Sequence, residues 1–278
     1  MARRTTLTEI AAAAGVSIAT VDRVVNRRGG VSPEAEAKVL EWASRLRLDR
    51  RLFRGHARTL RVAVMMQSAT NPFFRGLSKA FAESNSLAAD LRIACFVHHI
   101  DVTDIAATAA KLALVSETHD ALIVVCPNEP LLSETLRSIP RRIPVVTMIT
   151  DLTDSGRIAY VGPDNRQLGR VAGELMGRFL GPPGGEVVIV LGMHRMAGHE
   201  EREIGFRSVL RERFPQCAIG AALESAEDQK RAGDLVYNAF RNNPGINGIY
   251  NISAGNAAIA SAIQSLGLEH RTVIITHE

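Results

Sequence analysis

The sequence is poor in cysteine and has no long apolar segment. Its three cysteines, Cys95, Cys126 and Cys217, are scattered and form no CxxC pair. Such spacing is typical of free thiols in a reducing compartment, not of a disulfide framework or a zinc site. No apolar run reaches the roughly 18 residues of a membrane span, and the N-terminal stretch MARRTTLTEI lacks the apolar core of a secretory signal. The sequence therefore predicts a cytoplasmic protein without a membrane segment.

Motifs of catalysis, metal binding and cofactor binding are also lacking. His194 and His199 do not follow the HExxH spacing of zinc proteases, and the pair His98-His99 has no third ligand near it in sequence. The glycine-rich turn Gly181–Gly185 is not followed by GK[ST], and neither GxGxxG nor GxSxG occurs. We therefore predict that the protein is not an enzyme and has no catalytic residues, no metal and no cofactor.

Charge is distributed unevenly along the chain. The first 61 residues carry 13 Lys and Arg against 6 Asp and Glu, a net charge of +7, whereas the remainder carries 20 against 23. A basic N-terminal segment on a mildly acidic body is typical of a nucleic-acid-binding module. A basic surface that is merely solvated is the alternative.

The stretch Thr6–Asn26, TLTEIAAAAGVSIATVDRVVN, has the pattern of two short helices joined by a tight turn. Thr6 followed three residues later by Glu9 predicts a capping box, and the alanines after it are strong helix formers. Gly15 stands where the chain must turn, and Ser17 is a favourable N-cap for a second helix.

The second of these predicted helices has two different faces. An inward apolar stripe contains Val21, Val24 and Val25, and the opposite side presents Ile18, Ala19, Asp22 and Arg23. A helix-turn-helix places such an outer face in the DNA major groove. Because helical hairpins are common, the spacing alone leaves an ordinary αα-hairpin open.

A third helix and a basic linker follow. Ser32 as N-cap and Pro33 as first helical residue open the helix, and its apolar spacing includes Trp42, the only tryptophan. We predict that Trp42 packs in the core of a three-helix headpiece that spans residues 1–48. Residues 49–60 are rich in arginine and weakly periodic, which predicts a hinge or linker, either solvated or ordered on DNA.

From residue 61 onward, short apolar strands alternate with amphipathic helices. This alternation predicts buried parallel sheets, and it restarts after the turn Gly181–Gly185. We therefore predict a core of residues 61–278 with two α/β subdomains, about 61–160 and 163–278, and a ligand cleft between the carboxyl ends of their strands. The predicted strands are 61–66, 91–97, 121–125, 144–149, 158–161, 186–191, 248–252 and 272–276, and the predicted helices are 73–86, 104–116, 131–139, 166–180, 200–214, 226–242 and 256–266.

Polar and aromatic side chains follow several of these strands. Asn71 offers an amide to hydroxyl groups, and Phe73 and Phe74 offer flat apolar faces, a combination that suits sugars. Asp151 can accept hydrogen bonds from hydroxyl groups, and Arg202 can make charge-assisted contacts. The alternatives are an Asn-Pro turn with two core phenylalanines, a solvated loop acid and an exposed helix arginine.

These residues resemble the pattern of LacI-type bacterial transcriptional regulators, and the similarity runs from Thr6 to the last residue. The headpiece string TEIAAAAGVSIATVDRVVN…GVSPEAEAKVLEWASRL resembles that family's helix-turn-helix, followed by G-V-S and a third helix. In the body, NPFF at Asn71–Phe74, VGPDN at Val161–Asn165 and R-x-x-G-F at Arg202–Phe206 resemble motifs shared with periplasmic ribose-type binding proteins. The resemblance implies an all-α headpiece followed by an α/β core of two parallel-sheet subdomains like those of a periplasmic binding protein.

The resemblance also implies roles for individual residues. It assigns phosphate contacts to Thr6, Ser17, Thr20 and Asn26, and base contacts to Ile18, Ala19 and Arg23. Arg23 suits guanine, because its guanidinium can form two hydrogen bonds with that base. Effector contacts are assigned to Asn71, Phe73, Phe74, Asp151, Arg202, Asn256 and Glu278.

Some features depart from the family pattern. Leu48–Arg51 replaces the usual Pro-Asn hinge signature, and Asn256 substitutes for an Asn-Asp pair. Cys126 stands where ribose receptors have a polar sugar ligand, so the effector need not be ribose. The chain ends at Glu278, where the family continues through another helix and strand. We therefore expect either that the sequence is a fragment or that the second subdomain is incomplete.

Together these patterns predict a homodimeric transcriptional regulator, in particular a repressor, that acts at the nucleoid in the bacterial cytoplasm. Double-stranded operator DNA and a small sugar or polyol effector are its predicted partners, and the effector binds between the two subdomains. Two alternatives are a sugar-binding protein without a regulatory role and a sugar-processing enzyme. The basic headpiece argues against the first, and the absence of catalytic motifs argues against the second.

Overall fold

This computed structural model describes residues 6–26, 28–46, 59–87 and 91–277. Capping side chains begin its first two helices. Thr6 Oγ1 accepts a hydrogen bond from the Glu9 N–H (3.3 Å), and the Glu9 carboxylate accepts one from the Thr6 N–H (3.0 Å). This reciprocal pair starts helix α1 (Leu7–Ala14) and confirms the predicted capping box. Gly15 then ends α1 at φ +64°, a left-handed conformation that glycine adopts without steric cost.

Three helices share one small apolar core. The Ser17 hydroxyl accepts the Thr20 N–H (3.0 Å) at the start of α2 (Ile18–Val25), and α3 (Pro33–Arg45) contacts both α1 and α2. Trp42 is partly buried against this core, and the Arg45 guanidinium lies 5.1 Å from the centre of its ring. We call these three helices the headpiece; its buried core residues are Ile10, Ala11, Ala14, Val21, Val24, Val25, Val39 and Ala43.

A second compact unit comprises Leu60–Leu87 and Ile93–Glu278. Its strands are β1 (Leu60–Met66), β2 (Ile93–His99), β3 (Ala121–Val124), β4 (Val145–Met148), β5 (Ala159–Val161), β6 (Gly185–Leu191), β7 (Cys217–Glu224), β8 (Ile246–Asn251) and β9 (Val273–Thr276). Its helices are α4 (Pro72–Leu87), α5 (Ile105–Ser116), α6 (Pro130–Ser138), α7 (Asn165–Leu180), α8 (Ala197–Arg213), α9 (Gln229–Asn242) and α10 (Asn256–Ser265). None of the helices in the described ranges is both long and apolar enough to cross a bilayer.

The strands form two parallel sheets, as the alternating pattern predicts. The first sheet has the order β2-β1-β3-β4-β5 and the second the order β7-β6-β8-β9, and every pairing is parallel. We call the first sheet with α4–α6 the N-subdomain, and the second sheet with α7–α10 the C-subdomain. The predicted fold class, a helical headpiece followed by two parallel-sheet subdomains, is confirmed.

Strand β6 explains why the central strands are continuously apolar in sequence. Val187, Ile189 and Leu191 pack in a cluster with residues of α7 and α8. Val188 and Val190 belong to a separate cluster with residues of α9 and α10. Since helices cover both faces of the sheet, both alternating sets of side chains are buried.

The core of the N-subdomain contains residues from outside its own sheet. Met193 and Met196 lie in the segment between β6 and α8, yet they pack within the cluster formed by β1, β3 and the helices of the N-subdomain. Both methionines are almost fully buried, with exposed fractions of 3% and 4%. The two subdomains therefore share apolar contacts beside the cleft that separates their sheets.

Helices α7 and α8 approach each other closely through glycine. A Cβ atom added at Gly169 would lie 1.9 Å from the Arg202 carbonyl oxygen, and one at Gly205 would lie 2.1 Å from the Arg166 carbonyl oxygen. Any larger residue at these positions would push the two backbones apart. The contact therefore fixes the position of the first turns of α8, which carry Arg202.

The predicted strands include none between residues 191 and 248, whereas the structure has β7 at Cys217–Glu224. The strand is at the edge of its sheet, and most of its residues are exposed or half-buried. Its sequence, CAIGAALE, is rich in small residues and lacks the apolar run of a strand that is covered on both faces. Pairing with β6, which is a tertiary interaction, determines its conformation.

Candidate functional sites

A cavity of about 100 Å³ lies between the two subdomains. Five of its lining residues directly follow the carboxyl ends of strands: Gln67 after β1, Val125 after β3, Ile149 after β4, Ile252 after β8 and His277 after β9. Parallel α/β sheets bind ligands at this edge, because the loops that follow the strands converge there. The cavity is therefore the candidate ligand site of the core.

Three of the predicted effector contacts line this cavity from the N-subdomain. Asn71 is buried, its Oδ1 accepts the Phe73 N–H (3.0 Å), and its amide donates to Glu227 Oε2 (3.4 Å). Phe73 remains 44% exposed, whereas Phe74 is 5% exposed, and their rings meet edge to face with centres 5.2 Å apart. Phe73 therefore has an open aromatic face, and Phe74 is mainly part of the core.

Arg202 lines the same cavity from the C-subdomain. Its Nε donates to Asn165 Oδ1 (2.8 Å), and its Nη1 donates to the Ile252 carbonyl (3.4 Å). Asn165 in turn donates from Nδ2 to the Ile149 carbonyl (3.0 Å). These bonds use two of the guanidinium's five N–H groups, and they hold its plane against the wall of the cavity.

The cavity wall includes a strained residue of the N-subdomain. Ile149 has φ +68°, a rare conformation for a β-branched residue. Its carbonyl accepts hydrogen bonds from Asn165 Nδ2 (3.0 Å) and from the Tyr160 hydroxyl (3.0 Å). The two donors stabilise a backbone conformation that costs about 1–3 kcal/mol and that is typical of ligand sites.

Glu227 is a lining residue that the sequence analysis did not identify. It follows β7, and both Ala226 and Glu227 have positive φ, +55° and +63°. The carboxylate reaches across the cleft to Asn71, while its Oε1 lies 3.6 Å from His199 Nε2. Gly192 leaves room for it, since a Cβ at that position would lie 1.7 Å from Glu227 Oε1. The C-subdomain thus presents a carboxylate to the cavity at the cost of local strain.

Two neutral histidines complete the polar wall. Burial, and secondarily the charge of Arg202, lowers the pKa of His199 to about 3, and its Nδ1 accepts the Met193 N–H (3.4 Å). The same two causes lower the pKa of His277 to about 4, and its Nε2 lies 2.6 Å from the Tyr250 hydroxyl. Both imidazoles are uncharged at neutral pH, and Arg202 and Glu227 are the other ionisable residues that line the cavity.

Asp151 does not line the cavity. Its carboxylate is paired with Arg157, whose Nη2 lies 2.5 Å from Asp151 Oδ2, and it also accepts hydrogen bonds from the Thr147 hydroxyl (2.7 Å) and the Leu152 N–H (2.8 Å). The hydrogen bonds from Arg157 are the main cause that lowers the pKa of Asp151. Strand β4 ends at Met148, and the next two residues, Ile149 and Thr150, line the cavity. Asp151 comes directly after them.

Asn256, another predicted effector contact, and Cys126, which stands where ribose receptors have a polar ligand, are also not among the residues that line the cavity. Asn256 Oδ1 accepts hydrogen bonds from Asn251 Nδ2 (2.6 Å) and the Thr276 hydroxyl (2.9 Å), so it ties β8 to β9. Cys126 is a fully buried free thiol, and burial raises its pKa to about 12. Glu278 lies outside the described residues.

In the headpiece, α2 separates an apolar inner face from an open outer face. Val21, Val24 and Val25 are buried, whereas Ile18 is 50% exposed and Ala19 and Arg23 are exposed. The proposed phosphate contacts Thr6 and Ser17 use their hydroxyl groups as helix caps. Thr20 Oγ1 lies 2.8 Å from Ser17 Oγ, and Asn26 Nδ2 donates to Asp22 Oδ1 (2.6 Å). The structure therefore brings the three predicted base contacts to one exposed surface.

Two families of known proteins match separate parts of the chain. The family described as "Periplasmic binding protein domain" matches residues 62–278, and the family described as "Bacterial regulatory proteins, lacI family" matches residues 6–47. The ribose operon repressor of Halalkalibacterium halodurans is 37% identical over 81 residues, which cover 27% of this chain and 24% of that protein. The chain thus aligns with about a quarter of that curated relative's length.

Solved structures show the same fold in the core. A glucose-galactose binding protein from Geobacillus stearothermophilus matches with a TM-score of 0.69 and 24% identity, over 79% of this chain and 78% of that one. A solute binding protein from Burkholderia graminis, in complex with D-arabinose, matches with a TM-score of 0.70 and 24% identity, over 79% and 76%. Because the family model covers residues 62–278, the chain belongs to the periplasmic binding protein domain family, and its helix-turn-helix, within residues 6–47, matches the lacI family of bacterial regulatory proteins.

Proposed function

We propose that this protein is a transcriptional regulator, and in particular a repressor, that binds operator DNA through its headpiece and a sugar or polyol in the cavity of its core. The observation that carries the proposal is the presence, in one chain, of a helix-turn-helix with an exposed outer face and of an α/β core with a polar cavity. The protein acts by binding and not by catalysis, in the cytoplasm and at the nucleoid.

The headpiece supports DNA recognition through Arg23. Its guanidinium is exposed on the outer face of α2, beside Ile18 and Ala19, and it can form two hydrogen bonds with O6 and N7 of guanine. Ile18 and Ala19 have only apolar groups to offer, for example to a thymine methyl group. Because helix α2 has only eight residues, it reads few base pairs, and we propose a two-fold homodimer that reads two half-sites.

The cavity supports an uncharged, hydroxyl-rich effector. Arg202 and Glu227 bring opposite charges to it, and the two histidines are neutral. A neutral ligand with many hydroxyl groups can donate to the carboxylate and accept from the guanidinium without adding charge to the site. The open face of Phe73 can stack on the C–H face of a sugar ring.

The subdomains also offer a way to couple the effector to DNA. The bond between Asn71 and Glu227 joins the two subdomains across the cavity. A ligand that replaces or reinforces this bond favours one arrangement of the subdomains over another, and it thereby changes the affinity of the dimer for its operator. A coupling free energy of about 1–3 kcal/mol is typical of such switches.

Selection from random DNA tests the proposal directly. The purified chain is mixed with a pool of duplexes that contain random sequence, the bound fraction is amplified, and binding to the enriched duplex is measured with and without each member of a panel of sugars and polyols. We expect one near-palindromic sequence to be enriched, and at least one compound to change its affinity. If no duplex is enriched while a sugar still binds, the protein is a ligand-binding protein without regulatory DNA binding.

Arg23→Ala tests the assigned base contact. We expect it to weaken binding to the enriched duplex by about 1–3 kcal/mol relative to random DNA, because a two-bond contact with guanine is lost. Arg45→Ala is the matched control, since Arg45 is an exposed arginine of the same headpiece that pairs with Glu41 on α3. Equal losses on both duplexes would show that Arg23 contacts phosphate only.

A further inference from the structure

An acidic side chain lies on the outer face of α2, where DNA would bind. The Asp22 carboxylate accepts a hydrogen bond from Asn26 Nδ2 at Oδ1 (2.6 Å) and one from Arg28 Nη1 at Oδ2 (3.1 Å). The side chain of Arg28 is 67% exposed, and that of Asp22 is 35% exposed. A carboxylate here repels DNA phosphates unless a cation accompanies it, so its pairing with Arg28 has consequences for binding.

The backbone after α2 supports this pairing. The Arg28 N–H donates to the Arg23 carbonyl (2.9 Å), so the chain folds back over the last turn of the helix. Gly30, at φ +73°, has a left-handed backbone that favours glycine, and it lies beside Arg23, since a Cβ there would be 3.7 Å from Arg23 Nη1, an ordinary contact distance. Ala19, Asp22, Arg23, Arg28 and Gly30 line one open depression. The guanidinium groups of Arg23 and Arg28 therefore border the same surface.

We propose that Asp22 is a specificity-determining residue that acts by positioning Arg28 as a further DNA contact beside Arg23. The inference rests on the proposed function, namely that the headpiece binds DNA. Arg28 has five N–H donors and Asp22 accepts one of them, which leaves the others for a base edge or a phosphate. Only a duplex that places an acceptor where Arg28 is held gains the full contact.

The charge of Asp22 adds a second effect. The Asp22–Arg28 pair is neutral as a unit, so it contributes little to the release of counterions that drives binding to any DNA sequence. A free Arg28 would instead contact phosphates on any duplex. Asp22 thus lowers the affinity for random DNA. Arg28 then strengthens binding only to a duplex of the matching sequence.

Asp22→Asn in the full chain tests this inference, because asparagine retains an oxygen acceptor of similar shape but loses the charge. The measurement is the dissociation constant for the duplex enriched by the wild-type chain and for a random duplex, each at several salt concentrations. We expect the ratio of the two affinities to fall about tenfold. We also expect Arg28 to gain about one phosphate contact on random DNA. The slope of the logarithm of the binding constant against the logarithm of the salt concentration should then change by roughly −0.9.

Two further variants make the outcome decisive. Glu41→Gln removes an equal charge from another exposed acid–arginine pair of the headpiece, and we expect it to leave the affinity ratio unchanged. In an Arg28→Ala background, Asp22→Asn should no longer change the ratio, whereas a purely structural role of Asp22 would give additive effects. If the wild-type chain binds its enriched duplex but Asp22→Asn leaves both ratio and slope unchanged, the inference is overturned. If the wild-type chain enriches no duplex, the proposed function itself fails.

Discussion

The close contact between α7 and α8 makes a substitution of Gly169 the sharpest test of the packing in the core. In Gly169→Ala the new methyl group would lie 1.9 Å from the Arg202 carbonyl oxygen, and real Cβ contacts are essentially never under 3.0 Å. Both atoms belong to or adjoin a helix backbone, so no side-chain rotation can relieve the overlap. The two helices must therefore separate.

The expected cost follows from two opposing effects. Overpacking of this kind destabilises by about 1–3 kcal/mol, and the severity of the overlap favours the upper end of that range. Replacing glycine by alanine within a helix stabilises the folded state by about 1 kcal/mol, because alanine has the higher helix propensity. We therefore expect a net loss of about 2 kcal/mol in the free energy of unfolding of the core.

Gly76→Ala is the matched control. Gly76 lies within α4, and nothing is within 4 Å of the position that its Cβ would take. This variant has no steric overlap, so we expect only the effect of helix propensity, a stabilisation of about 0.5–1 kcal/mol.

Urea unfolding followed by far-UV circular dichroism measures the stability of the core. The headpiece can be followed separately, because Trp42 is the only tryptophan and packs on the headpiece core. We expect the fluorescence transition of Trp42 to be unchanged in both variants. A Gly169→Ala core as stable as that of the Gly76→Ala variant would refute the close helix contact.

Two other substitutions test local features. Thr6→Ala removes the side-chain half of the capping box, and it should destabilise the headpiece by about 0.5–2 kcal/mol in the Trp42 transition; an unchanged transition would contradict this. Arg157→Gln should raise the pKa of Asp151, since Arg157 holds it below its ordinary value. A depressed carboxylate pKa stabilises the fold above the unfolded value of about 3.9, and this contribution is lost as the pH falls through the folded pKa. The stability difference between wild type and Arg157→Gln should therefore shrink from pH 7 to pH 2, and a constant difference would count against the pair.

The features that were predictable from the sequence are those fixed by neighbours in the chain. The capping box of Thr6 and Glu9 and the turn at Gly15 depend on residues within a few positions, and the structure has both. The buried strands were visible as apolar runs, because helices cover both faces of their sheets. An edge strand has no such pattern, and β7 was missed for this reason.

The cavity was harder to predict because its residues come from the turns that follow the strands. Glu227 lies in the turn between β7 and the helix that begins at Gln229, whereas the sequence pattern places it inside a helix of residues 226–242. Asp151 is two residues beyond Ile149, whose φ is +68°, and its carboxylate is bound to Arg157 and does not line the cavity. The direction of a side chain after a strand depends on such tertiary details. Asn71 and Arg202 were identified because each stands in a recognisable motif.

The burial of the two methionines between β6 and α8 has a consequence for their oxidation. Met193 and Met196 are shielded by the apolar core of the N-subdomain, although the chain that carries them continues into the C-subdomain. A movement that withdraws the segment between β6 and α8 from the N-subdomain would expose these thioethers to water. Since an oxidant such as peroxide converts accessible methionine to its sulfoxide, we expect the rate of oxidation at these two positions to rise with the frequency of that movement.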